Sequence, residues 1–302
     1  MIEQKNFVIV YNEFLEFKAL RCKKQGFETF KRNFDNHILP YFKNYNICDI
    51  KKKDIINWQN IIIKKDFSDS FNNSLYYNLH TFFDYCVNFE YCKENIISNI
   101  KKIKKRNIKK EHNIFSEKQF LKFRRCLDNI IYKYFFTFMF YYGTRPSETI
   151  ALRFSDINGS EIKIEHSINR RGKRELTSPK NINSIRNFSI SFLMKYRIKK
   201  LKKYYIKKYG YFDINYYIFG GKKPLSTTTI DRHKKNACEK AKLPNITQHE
   251  FRHSCASRLL RKNVPIDCIS KLLGHSSVSM TLDVYCHNEK RMHRTLLSKL
   301  FF

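Results

Sequence analysis

Residues 247–287, TQHEFRHSCASRLLRKNVPIDCISKLLGHSSVSMTLDVYCH, bring together His249, Arg252, His253, His275 and one tyrosine, Tyr285, ten positions after His275. No carboxylate cluster accompanies them. Cations and hydrogen-bond donors with one phenol close by suit the holding of an anion and an attack on it. Phe251, Cys255, Leu259 and Leu260 recur at helical spacing, so His249, Arg252 and His253 ride on a helix with a buried face. Pro265 is expected at the first position of the next helix and Gly274 at its end, with His275 just beyond.

His249-Glu250-Phe251-Arg252-His253 also matches the H-E-x-x-H pattern of zinc proteases. That pattern needs a third ligand and supporting groups around the metal. No H-x-x-G-x-x-H extension follows, the next glutamate after Glu250 is Glu289, and Arg252 would repel a metal beside it. No metal site is expected here.

H-x-x-R at His249 and Arg252, L-L-G-H ending at His275 and T-L-D-V-Y ending at Tyr285 resemble the tyrosine recombinases, the phage-integrase family. Upstream, Gly143-Thr144-Arg145-Pro146-Ser147-Glu148 is similar to the family's G-x-R-x-x-E segment. Each motif alone is weak; in this order and spacing they are specific together. The resemblance runs from about Asn113 to the C-terminus and is looser before it.

The resemblance implies a reaction. A phosphodiester resists attack because it is anionic and its leaving alkoxide is a strong base. Arg145 and Arg252 would grip the two non-bridging oxygens through charge-assisted hydrogen bonds. Tyr285 would be the nucleophile; a phenol with a pKa near ~10 needs a base or a cationic field, and the base role falls to His249. His275 would donate to the phosphate. The family's catalytic lysine lies in a small sheet, and P-K-x-x-x-S at 179–184 makes it Lys180, with Lys173 as rival. That lysine would protonate the leaving 5′ oxygen. Glu148 is read as a structural partner for a basic residue. The 3′-phosphotyrosine ester retains the bond energy, so neither metal nor other cofactor is implied. The implied partners are a specific site in double-stranded DNA and three further copies of the chain, as a homo-tetramer on two duplexes. The ten-residue step from His275 to Tyr285 favours integration and excision of a mobile element over Xer-like dimer resolution. A basic DNA-compacting protein is the non-enzymatic alternative; it would need the charge but not the ordered motifs.

Composition agrees with such a partner. The 302 residues are enough for two domains, and 42 % hydrophobic content supports real cores. Lys and Arg number 59 against 27 Asp and Glu, a net charge of +32 that attracts a polyanion, above all nucleic acid. AT-rich coding would explain many lysines but not the imbalance. The longest apolar runs, such as residues 134–142, are too short to span a bilayer, and the N-terminus does not read as a signal peptide. Nine cysteines without a C-x-x-C pair point to a reduced, cytoplasmic protein, and the family implies a prokaryotic, nucleoid-associated one. Gly220-Gly-Lys-Lys-Pro lacks too many Walker A positions to cradle a nucleotide.

The expected fold is mainly α with a small antiparallel β-sheet. Residues 1–100 form a helical bundle: a face at Phe7, Tyr11, Phe14, Leu15 and Leu20, a segment 27–42 broken at Pro40, then helices 54–65 and 74–89. Its aromatic stripe is read as core, and the resemblance makes it a core-binding clamp on DNA. Residues 101–112 form a basic linker, in which Lys101, Lys102, Lys104, Lys105, Arg106, Lys109 and Lys110 are candidate phosphate contacts. The catalytic domain, 113–302, opens with a capping box at Ser116–Gln119, followed by a buried helix 130–142 ending at Gly143 and a helix 147–154. A single strand over 161–168, a turn at 169–172, strands at Leu176 and 185–190 with Lys180 between them, and basic helices 192–209 and 227–242 come next. A tail helix, 288–302, carries Met292, Leu296, Leu297 and Leu300 on one face. So short a helix must dock, and the family implies docking on a neighbouring subunit. Many family members carry a further N-terminal arm-binding domain; this chain is read as beginning at the core-binding one.

Overall fold

A computed structural model of the chain describes residues 5–102, 113–168, 176–177 and 185–274. The chain divides into two compact units, Met1–Lys109 and Lys110–Phe302. Helix dominates both, and the second adds small antiparallel sheets.

In the first unit, α1 (Phe7–Ala19), α2 (Lys24–His37), a single turn α3 (Leu39–Phe42), α4 (Lys52–Lys64) and α5 (Asp69–Asn88) enclose an aromatic core. The break expected at Pro40 falls at Ile38, because a proline is tolerated only in the first turn of a new helix. Helix α5 begins earlier than its apolar stripe, where Ser68 accepts a hydrogen bond from the Phe71 amide. Its stripe is core: Phe82 packs against Phe7, Phe34 and Phe14 with ring centroids 4.8, 5.5 and 5.6 Å apart. Tyr77 faces outward instead, with the Lys102 ammonium 4.5 Å from its ring centre. Lys101 and Lys102 are exposed, and the Lys101 carbonyl accepts from Gln59. The other linker candidates, Lys104, Lys105, Arg106, Lys109 and Lys110, lie outside the described residues.

In the second unit, α6 (Glu117–Arg125) starts at the Ser116–Gln119 capping box, with both reciprocal hydrogen bonds made. Helix α7 (Ile130–Tyr142) is buried on nearly every face and stops at Gly143, whose φ of 63° is left-handed. The next helix, α8 (Pro146–Ala151), is shorter than expected; Leu152 is extended, and Phe154–Asp156 forms a separate 3-10 turn in which Asp156 accepts from the Arg153 amide.

The strand expected over 161–168 is two strands in two sheets. Strands β1 (Ile157–Asn158), β2 (Glu161–Ile164) and β5 (Arg186–Ser189) form one sheet in the order β1-β2-β5, while β3 (Ser167–Ile168) pairs with β4 (Leu176–Thr177). Ile162, Ile164 and Ile168 are all buried, so the alternation continues in phase across the break and could not reveal it. Strand β4 therefore closes a hairpin with β3, and β5 returns to β2, pairing Arg186 with Ile164. Residues 169–175 and 178–184, among them Lys173 and Lys180, lie outside the described residues.

Helix α9 (Phe192–Tyr209) runs from a Ser191 cap to a left-handed Gly210. Helices α10 (Thr227–Lys240), α11 (Gln248–Arg261) and α12 (Ile266–Leu273) complete the described chain. Pro265 is the cap preceding α12, one position before the first helical residue. No described helix is long and apolar enough to cross a membrane.

Candidate active site

The site is built where the ends of α7 and α12 meet α8, α11 and β5. At the left-handed Gly143 the chain turns out of α7, and Arg145 becomes the residue capping α8, with Pro146 at the first helical position. Glu148, three residues on, reaches back so that its Oε2 accepts from the Arg145 amide at 2.9 Å. That is the local reason for the R-x-x-E spacing: the carboxylate occupies the position that satisfies the helix's first free amides. It also places Glu148 under the Arg145 side chain, whose Nη1 donates to Oε1 at 2.7 Å.

Glu148 is buried and serves two guanidiniums. Arg186 on β5 donates from Nη2 to Glu148 Oε2 at 2.9 Å. Burial alone would raise the Glu148 pKa, but Arg186 and then Arg145 outweigh it and hold the carboxyl below its usual range.

Helix α11 brings the third guanidinium. Its start is a capping box: Thr247 accepts from the Glu250 amide, and the Glu250 carboxylate accepts from the Thr247 amide. Phe251 anchors the helix, its ring 5.0 Å from Phe136 and 5.4 Å from Phe123. Arg252 is thereby carried into the interior, where Nη1 donates to the carbonyls of Gly143 at 2.9 Å and Leu273 at 2.7 Å. Its Nη2 is buried and has no hydrogen-bond partner among the described residues. Burial, followed by repulsion from Arg145, pushes the Arg252 pKa down to about 9. The group is still charged at neutral pH, and a buried cation with an unused donor is costly unless an anion reaches it.

The same three arginines hold the end of α12. Arg186 Nε donates to the Leu272 carbonyl at 2.7 Å, Arg252 to Leu273, and Arg145 Nη2 to Gly274 at 2.9 Å. A helix C-terminus carries partial negative charge and free carbonyls, so it is a natural seat for guanidiniums. Three guanidiniums against one carboxylate leave an excess of two positive charges.

Arg145 and Arg252 are thus brought together through Gly143, Leu273 and Gly274. His249 is exposed in the first turn of α11 and lines an open cleft of about 770 Å³, whose walls include Arg232, Lys235, Asn236, Thr247 and Gln248. His253 is half-buried. Lys180, His275 and Tyr285 lie outside the described residues, although His275 directly follows Gly274. Among the described residues no group of three or more His, Cys, Asp or Glu is arranged to hold a metal ion. The Glu250 carboxylate of the H-E-x-x-H pattern is engaged in capping its own helix.

Sequence reasoning missed Arg186. The signal was present in strand parity, since Arg186 shares the inward-facing set with Phe188 and Ile190. An arginine in that set must find anionic or carbonyl partners inside the fold. The T-x-x-E box at Thr247–Glu250 was also legible and explains Glu250 without a metal.

Residues 113–292 match the model of the phage integrase family, and residues 6–63 match that of the phage integrase N-terminal SAM-like domain. The ICEBs1 integrase of Bacillus subtilis (strain 168) is 27% identical over 307 residues, which cover 98% of this chain and 82% of that protein. Among solved structures, the Tn1549 transposon integrase in complex with transposon right end DNA superposes with a TM-score of 0.77 at 17% identity, over 98% of this chain and 99% of the other. A lambda integrase tetramer bound to a Holliday junction gives a TM-score of 0.71 at 18% identity, over 93% and 78% of the respective chains.

Proposed function

The chain belongs to the phage integrase family of tyrosine recombinases, and from that premise we propose that it cleaves and rejoins duplex DNA at a specific site through a 3′-phosphotyrosine intermediate. The observation that carries the phosphate-binding role is Arg252, a buried guanidinium whose Nη2 has no partner among the described residues and which sits beside two more guanidiniums. A phosphodiester supplies the missing anion. Arg252 and Arg145 hold its non-bridging oxygens and stabilise the added charge of the transition state.

In this reading the Tyr285 oxygen attacks phosphorus as His249 takes its proton. The bond to the 5′ oxygen breaks, and Lys180 protonates that oxygen. His275 donates to the phosphate from its place after Gly274. One phosphoester replaces another, so the 5′ hydroxyl of a second strand can reverse the step and join a new partner.

Integration and excision of a mobile element is the biological role we assign. The ICEBs1 and Tn1549 integrases, both named for mobile elements, support it. We further assign residues 1–100 to a DNA clamp, 101–112 to a basic linker contacting phosphates, 113–302 to the catalytic domain, and 288–302 to a tail that docks on a neighbouring subunit. The active assembly is a tetramer on two duplexes, a reading supported by the lambda integrase tetramer bound to a Holliday junction, and it works at the nucleoid in the cytoplasm.

The test is a nicked duplex cut from the DNA flanking the gene, designed so that the short fragment bearing the new 5′ hydroxyl diffuses away after cleavage. A covalent adduct at the new 3′ end, formed equally well with a chelator present, is the expected result. Failure to form an adduct on any flanking sequence, with intact binding, would favour the non-enzymatic DNA-binding alternative.

A further inference from the structure

We propose that Arg186 is a positioning residue for strand cleavage, tying the end of α12 to the Glu148–Arg145 pair and completing the charge that the transition state requires. The inference rests on the recombinase reading above. Arg186 is almost fully buried, and its guanidinium is forked between two parts of the site. One arm, Nε, holds the Leu272 carbonyl at 2.7 Å; another, Nη2, holds Glu148 Oε2 at 2.9 Å. Its position on β5 makes it the one link among these contacts between the sheet and the site.

Gly274 shows how closely the two are fitted. A Cβ at Gly274 would lie 2.9 Å from Arg186 Nη1 and 3.3 Å from its Cζ. The glycine of L-L-G-H therefore answers two demands: a left-handed φ of 67° and room for the Arg186 guanidinium. Because Gly274 also accepts from Arg145, a shift of Arg186 disturbs both the segment entering His275 and the Arg145 side chain.

Charge supplies the second part of the argument. The phosphodiester carries one negative charge, and attack by a tyrosinate oxygen creates a phosphorane-like state approaching two. Among the described residues, Arg145, Arg186 and Arg252 against Glu148 give an excess of two positive charges, so Arg186 strengthens the field in which the added negative charge develops. Without Arg186, Glu148 would draw on Arg145 alone and the excess would fall to one. Interactions that strengthen only in the transition state raise the rate and leave binding little changed.

Arg186→Gln removes the charge while keeping hydrogen-bonding capacity. In single-turnover adduct formation, R186Q is expected to fall by roughly thirtyfold, below the loss for a direct phosphate donor, with half-site binding within about threefold of wild type. Replacing the scissile phosphate by a methylphosphonate removes one negative charge from the substrate. The gap between wild type and R186Q should then shrink to a few-fold, which a general loss of structure would not produce. R186K keeps the charge but cannot fork, and should recover part of the rate.

An R186Q rate within about threefold of wild type, or an equal deficit on both substrates, would overturn the inference. If R186Q melts below the assay temperature, R186K decides: a rate reduced at least about threefold supports it, and an unchanged rate overturns it. Wild-type adduct formation separates the two levels of failure. No wild-type adduct removes the recombinase reading and this inference together, whereas a full wild-type rate matched by R186Q removes this inference alone.

Discussion

Arg252 Nη1 donates to the Leu273 carbonyl at 2.7 Å, so the arginine of the H-x-x-R motif grips the helix that leads into His275. Two motifs separated by 21 positions are thereby one piece of structure. The contact uses one face of the guanidinium and leaves Nη2 without a partner among the described residues. In the proposed mechanism, holding the fold and holding the substrate are divided between two nitrogens of one side chain.

Arg252→Ala should lower single-turnover cleavage by about 100-fold, near 3 kcal/mol of transition-state stabilisation by analogy with oxyanion donors. Burial and the nearby Arg145 lower the Arg252 pKa, but a guanidinium stays protonated across neutral and mildly alkaline pH, so the deficit should persist throughout that range. An alanine variant that cleaves within about threefold of wild type would be at odds with the assignment.

Glu148→Gln should destabilise the second unit by about 3–5 kcal/mol, the usual cost of breaking a buried ion pair by removing one partner. The folded pKa of Glu148 is held below the ordinary 4.5. Its contribution is then fully present above that value and is lost as pH falls through the lower folded value. Urea unfolding at a series of pH values should show the wild-type–variant gap constant near neutrality and closing only in acid. A gap of under about 1 kcal/mol at pH 7 would show that the two guanidiniums do not need the carboxylate.

Much of this was legible in the sequence, for reasons that differ by element. Helix α9 could be bounded at both ends because Ser191 and Gly210 punctuate a basic, amphipathic run. Gly143 ended α7 for the same kind of reason, and Arg145 followed from the likeness of Gly143–Glu148 to the family's G-x-R-x-x-E segment, with its place after a buried helix as support. The sheet was misread because Ile168 stays in phase with Ile162 and Ile164 although it belongs to another sheet. Alternation reports which face a residue occupies, not which strand it pairs with. Arg186 escaped because its partners are far away in sequence: Glu148 lies 38 positions before it and Leu272 86 positions after it. Only the fold brings them together.

Gly143→Ala should be among the most destabilising single-methyl additions in the second unit. The position has φ 63°, and an added Cβ would meet the Leu273 side chain and lie 3.1 Å from Cys255 Sγ. A left-handed non-glycine residue costs about 1–2 kcal/mol and overpacking about 1–3, so roughly 2–5 kcal/mol is expected. Thermal and urea unfolding of the variant would measure it. Because Gly143 is next to Thr144 and Arg145 and its carbonyl accepts from Arg252, cleavage should fall even under conditions where the variant remains folded. A variant as stable as wild type would mean that the α7 end relaxes more freely than its packing indicates.

Covalent catalysis by Tyr285 is checked by trapping the protein–DNA adduct on the nicked duplex and locating it by mass spectrometry, in wild type and in Tyr285→Phe. A wild-type adduct mapped to the peptide containing Tyr285 is expected. Y285F should form no adduct, with half-site binding retained within a few-fold, since only the nucleophilic oxygen is removed. An adduct formed by Y285F, or a wild-type adduct mapped to another tyrosine such as Tyr211 or Tyr217, would rule out Tyr285 as the nucleophile.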